Sequence, residues 1–191
     1  MAADAKGNDI DSVDIPITAA LAIAPYNEKN ILESAAGGAA TVSLPAAYMK
    51  LGLIKQDGGA NESQEQDSPI EFFQDGYKKA LDPTISIQWG LAEFNEVVRQ
   101  LITGKEPDEN GMIAVSTWTP DTKWCVYYEE VYKGGRIRRL NGVMQVTGTE
   151  VDQSERNAVK GRNVTLTWQT DPLVGDGVND KYLEWQIVPK A

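Results

Sequence analysis

Trp124-Cys125-Val126-Tyr127-Tyr128-Glu129-Glu130-Val131-Tyr132-Lys133, then Gly134-Gly135, then Arg136-Ile137-Arg138-Arg139-Leu140 is the stretch that decides the fold. β-Branched and aromatic residues dominate the flanks, and paired glycines supply the positive φ angles of a tight reversal. The stretch predicts an antiparallel hairpin whose second strand runs on from Arg136 to Val151. A two-residue turn sets Tyr132 opposite Ile137, Val131 opposite Arg138, Glu130 opposite Arg139 and Glu129 opposite Leu140. An aromatic facing a β-branched residue and a Glu facing an Arg are both favourable, at about 0.2–1 kcal/mol per pair.

Outward from the hairpin the same period of two recurs. Ile85, Ile87 and Trp89 alternate with Thr84, Ser86 and Gln88, and Val164, Leu166 and Trp168 alternate with Thr165 and Thr167. Each pattern predicts a half-buried strand. Met112–Thr119, Ile70–Gln74 (stopped by Asp75-Gly76) and the run through Leu183, Trp185 and Ile187 predict three more. One segment has helical spacing: Phe94, Val97, Val98, Leu101 and Ile102 form a stripe, and Gly104 is placed to end it. The expected fold is therefore mainly β, an antiparallel β-sandwich or barrel with one flanking α-helix over about residues 92–103.

Residues 1–45 read as an N-terminal arm and 46–191 as the β-sandwich domain. Val13, Ile15 and Ile17 alternate with polar residues, but Pro16 lacks a ladder donor and restricts the segment to an edge. Ser34–Ala40 is made of small residues that cannot fill a core, which fits either a loosely packed arm or a segment ordered by a neighbour. Ala46–Lys55 fits a strand or a short helix, and Asp152–Val159 a helical turn or an extended loop. Asp57-Gly58-Gly59 opens an acidic, exposed excursion that lasts to Pro69.

Composition narrows the function. The chain carries 28 acidic and 18 basic residues, a net charge of −10, against what a phosphate-neutralising nucleic-acid binder needs. It has no histidine and one cysteine, which removes the usual general base, the His-activated nucleophiles and thiolate metal sites. No apolar run approaches the roughly 18 residues of a membrane span. The Met1–Asp14 stretch lacks the regions of a signal peptide, so synthesis and assembly in the cytoplasm are expected. Asp171–Asp180 has the composition of a calcium loop without its order of ligands. Cys125 sits in a strand where a small buried residue is the ordinary reading. No enzyme activity, metal or cofactor is expected.

Two groups of charge stand out as candidate contacts between subunits. Lys133, Arg136, Arg138 and Arg139 make the hairpin end basic in an acidic protein, and Asp57, Glu62, Glu65 and Asp67 make the 57–69 excursion acidic. The basic end serves either as protection of an edge or as a plug into an acidic surface of another copy. On the second reading, replacing Arg138 and Arg139 with Glu leaves the subunit folded and blocks polymerisation. A further alternative is a monomeric carbohydrate-binding or adhesin module on a virion, with Tyr127, Tyr128 and Tyr132 as an exposed aromatic surface.

Tyr48–Gly59 (YMKLGLIKQDGG), Ile70–Tyr77 (IEFFQDGY) and Trp89–Glu93 (WGLAE) are similar in wording to the major tail proteins, or tail-tube proteins, of long, non-contractile-tailed bacteriophages. So are Pro120–Trp124 (PDTKW), Gln145–Gly148 (QVTG), Asp152–Arg156 (DQSER) and Val164–Trp168 (VTLTW). The resemblance spans residues 48–169. It implies a β-sandwich with a flanking helix, six copies closing into a ring by joining inner sheets, and rings stacking into a tube through loops, arms and a long hairpin. It further implies a virion tail location, with tape-measure, tail-terminator and tail-tip proteins as partners. DNA would pass down the lumen without specific binding, which suits the negative charge. It carries no catalytic residues.

Overall fold

A computed structural model of the chain describes residues 5–10, 13–66, 68–116 and 121–188. Within them the hairpin is β7 (Lys123–Tyr132) and β8 (Ile137–Val151). Its register differs by one residue from the expected one: Val131 faces Ile137, Glu130 faces Arg138, Glu129 faces Arg139 and Tyr128 faces Leu140. The cause is the turn. The Tyr132 amide donates to the Arg136 carbonyl and the Gly135 amide to the Tyr132 carbonyl, both at 2.9 Å. Three residues, Lys133–Gly135, thus form the loop, with φ of +101° at Gly134 and +83° at Gly135. The observed register aligns both acids with both arginines, where the expected one aligned a single pair.

Around the hairpin lie β1 (Pro16–Pro25), β2 (Met49–Lys50), β3 (Asn61–Glu65), β6 (Thr84–Leu91), β9 (Arg162–Trp168) and β10 (Tyr182–Ile187). They form one antiparallel sheet in the order β2-β1-β7-β8-β9-β6-β3, with β10 also bonded to β8. β8 is shared: residues 137–142 carry β10 on one side, and residues 144–151 carry β9 on that same side, in a ladder with a bulge of its own between Val146 and Gly148. One long strand therefore belongs to both halves of the fold.

The inner face gathers Leu21 and Ile23 of β1, Val126 and Tyr128 of β7, Leu140 and Met144 of β8, Leu166 and Trp168 of β9, and Ile87 and Trp89 of β6. Residues from strands far apart in sheet order share this core, so the sheet curls on itself as a sandwich or barrel. Each buried Leu, Ile or Val contributes about 1.5–3 kcal/mol. The helix α2 (Glu96–Thr103) covers one end with Val98 and Leu101. It starts four residues later than expected because the Asn95 side chain caps it, accepting from the Val98 amide at 3.0 Å. Phe94 stays outside the helix, with the Arg162 guanidinium 3.2 Å above its ring centre. Gly104 ends the helix in the left-handed region, φ +67°, as its position implied.

The segment expected as an arm is largely built into the fold. β1 pairs with β7 over its whole length, and Leu21–Ala24 are buried. Pro16 is accommodated because it lies at the irregular first pair of that ladder. Residues 27–48, including the one-turn α1 (Ser34–Gly37), cover the outer face of β1, β7, β8 and β10. Glycine is required at position 37: a Cβ there would meet the Trp185 indole at 2.3 Å. The small residues fill no core; they let the chain lie flat on a tryptophan. The Asn141 side chain anchors the same layer, accepting from the Leu32 amide at 2.7 Å and donating to Tyr48 Oη at 2.8 Å.

Ala46–Lys55 opens with a turn at residues 46–47 and then runs extended through β2 to an isolated bridge of Ile54 with Leu91. Asp152–Val159 is an extended loop with a turn. The 57–69 excursion contains the exposed strand β3, so it is more ordered than its composition implied. Met112–Ser116 is not a strand, and Thr117–Pro120 lie outside the described residues. Ile70–Gln74 yields a two-residue strand, β4 (Ile70–Glu71), which among the described residues pairs only with β5 (Lys78–Lys79).

Candidate functional site

Three of the four basic candidates are used inside the chain. Arg139 is 1% exposed; its Nε donates to Glu129 at 2.6 Å, and its terminal nitrogens donate to the carbonyls of Gly37 (2.8 Å), Ala39 and Ala40 (3.2 Å). It pins the small-residue segment onto the sheet. Arg138 points to the inner face, donates from Nε to Glu184 at 2.6 Å and contacts both oxygens of Glu62. Glu62 first, then Glu184, push its guanidinium above the ordinary range against the opposing effect of desolvation. Arg136 pairs with Asp14. Lys133 alone stands exposed at the turn.

Within one chain, therefore, Arg136, Arg138 and Arg139 already have acidic partners. A Glu at position 139 would bury a carboxylate beside Glu129 and three carbonyls, so the double reversal at 138 and 139 disrupts the fold before it can report on polymerisation. The acidic candidates divide as well. Glu62 meets Arg138 within the same chain, Asp57 lies 3.6 Å from Lys55, and Glu65 is exposed at the end of β3. Asp67 lies outside the described residues. Tyr127, Tyr128 and Tyr132 are 4%, 0% and 8% exposed, so they offer no aromatic surface to a sugar.

The exposed aromatic surface lies elsewhere, on the β4–β5 hairpin. Ile70, Phe72, Phe73 and Tyr77 all face water there, with Phe73 fully exposed. Asp75-Gly76 makes its turn, with Gly76 at φ +84°, and the Phe72 amide donates to the Tyr77 carbonyl at 3.1 Å. The signal was present in the sequence: Asp-Gly between two short apolar runs is a hairpin mark, and Lys78-Lys79 answers Glu71 across it. Lys78 and Glu71 do pair.

Two further polar groups serve the fold. Asp171 is fully buried and accepts from Tyr26 Oη at 2.8 Å and Lys123 Nζ at 2.7 Å. Burial works to raise its pKa, but the Lys123 ammonium, the Tyr26 hydroxyl and the Leu173 amide outweigh it and hold the carboxyl below its usual range. The Asp176 carboxylate accepts from the amides of Val178, Asn179 and Asp180, which shape the loop and keep that carboxyl strongly acidic. No group of three or more potential ligands is arranged for a metal among the described residues. Cys125 is buried behind the 27–48 layer, and burial pushes its thiol up. Among the described residues no helix is long and apolar enough to cross a membrane.

A scan against protein-family models and a search of curated proteins both find no match to this chain.

Proposed function

We propose that this chain is a structural subunit that assembles with copies of itself, in the manner of the phage tail-tube proteins its sequence resembles. The observation that carries the reading is the β4–β5 hairpin. A ten-residue projection that, among the described residues, pairs only with itself holds Ile70, Phe72, Phe73 and Tyr77 in water on a protein of charge −10. Contiguous apolar surface of this kind costs solubility unless a partner covers it. The hairpin and the rest of the surface differ in character, which favours head-to-tail contacts that close into rings or extend into filaments.

On this reading the neighbours within and between rings are copies of the chain, and the tape-measure, tail-terminator and tail-tip proteins meet the tube. DNA passes through the lumen past an acidic wall without being held, and the subunit is assembled in the host cytoplasm into a virion tail. The chain contributes surfaces, not catalysis. The glycan-binding alternative loses its motive with the burial of the three tyrosines.

Electron microscopy of concentrated protein tests the reading, with rings or hollow tubes as the expected result. Replacing Phe72 and Phe73 with Ser should abolish them while leaving monomer stability within about 0.5 kcal/mol, as for other exposed substitutions. Equal tube formation by that variant would remove the hairpin from the argument. A phage lacking this chain that still builds full-length tails would overturn the function.

A further inference from the structure

Arg138 sits where the curled sheet fails to close. Among the described residues β3 is bonded on one side only, to β6, and β10 on one side only, to β8. The two share no ladder, and a cleft of about 230 Å³ opens between Ile85 of β6 and Tyr182 of β10. All five residues of β3 are exposed, so no apolar packing of their own holds them down. Apart from its ladder to β6, β3 is held by a 2.9 Å contact of the Ser63 and Ser86 hydroxyls, which also leads to β6, and by Glu62. Glu62 takes two of the Arg138 nitrogens, and the third is committed to Glu184 of β10. One guanidinium thus joins β3, β8 and β10.

We propose that Arg138 is a latch: it holds β3, and the β4–β5 hairpin that follows it, against β8 and β10, and its release frees that segment and the open edges beside it. The chemistry suits exchange. A guanidinium gives up one carboxylate for another with little net loss of hydrogen bonding, so an acidic residue of a second copy can displace Glu62. An apolar closure would have to be exposed to water before it could be replaced. The partly shielded setting strengthens the contact without sealing it: the Arg138 side chain is 20% exposed and that of Glu62 34%. The gating of assembly rests on the self-assembly reading above; the latch itself does not.

Hydrogen exchange of the full chain, read by mass spectrometry under conditions that keep it monomeric, tests the latch. Glu62→Gln should speed exchange across residues 61–79 by roughly tenfold or more, the effect of losing a charged hydrogen-bonded pair. Glu65→Gln makes the same charge change on the same exposed strand away from Arg138 and should leave exchange unaltered. Unchanged exchange in Glu62→Gln, or equal acceleration in β7 and β8, would overturn the latch. Arg138→Lys retains the charge but loses the fork, and should fall between the wild type and Glu62→Gln; exchange no faster than wild type counts against the proposal. In assembly assays Glu62→Gln should shorten the lag. A faster-exchanging variant with an unaltered lag would overturn the gating, and a wild type that never associates would overturn the self-assembly reading while exchange still decides the latch.

Discussion

Replacing Arg139 with Met keeps an unbranched stem of similar reach and removes every polar contact of the guanidinium. What is lost is the 2.6 Å bond to Glu129 and the donors to the carbonyls of Gly37, Ala39 and Ala40. Breaking a buried ion pair by removing one partner costs about 3–5 kcal/mol. The lower end applies, because the Glu129 side chain is 25% exposed and can rehydrate. A loss of about 3 kcal/mol is a large share of the 5–15 kcal/mol typical of a domain. With a urea slope of about 2 kcal/mol/M, the midpoint should fall by about 1.5 M. Tryptophan fluorescence in urea reads that shift, and limited proteolysis reads whether residues 33–46 detach. A loss under about 1 kcal/mol, with residues 33–46 still resistant, would refute the claim that Arg139 holds that segment to the sheet.

Acid should weaken the fold through Asp171. Its folded pKa lies below the unfolded value of about 3.9, so its stabilisation is complete above that value and is lost as the pH falls through the folded one. Asp152, held down chiefly by Lys55, and Asp176 act in the same direction. Melting temperature should fall steeply below about pH 4, and Asp171→Asn should lower stability at pH 7 while flattening that fall; identical slopes would count against it. Cys125, buried with a raised thiol pKa, should resist a thiol reagent in the native protein and react once urea opens the fold. Immediate reaction would mean that the 27–48 layer does not shield it.

The β architecture was legible where alternation and turn residues agreed, as in Thr84–Trp89 and Arg162–Trp168, whose inward residues are those the pattern marks. The hairpin was legible too, but its register came out one residue away from the expected one: the glycine pair suggested a shorter turn than forms, although matching the doublets Glu129-Glu130 and Arg138-Arg139 would have set it. β1 was hidden because its Ala-rich composition is weakly strand-forming; its burial comes from pairing with β7, far along the chain. The destinations of the arginines were hidden for a related reason. Glu62, Glu184 and the carbonyls near Gly37 are distant in sequence, and charge pattern alone does not say which acids a basic residue will meet. The exposed aromatics were misassigned because a strand with both faces covered looks, in sequence, as aromatic as a surface patch.

The pairing of β1 with β7 also orders events in time. β1 leaves the ribosome about 100 residues before the strand it needs, a wait of roughly 5–20 s at synthesis rates of 5–20 residues per second. During that interval Ala19–Ala24 has no long partner in its own chain, and the short β2 is the only strand of its ladder already made. β7 and β8, by contrast, can zip together within microseconds of emerging. β1 has to wait for a partner made about 100 residues later, the longest-range strand pairing in the sheet and the kind that folds slowly.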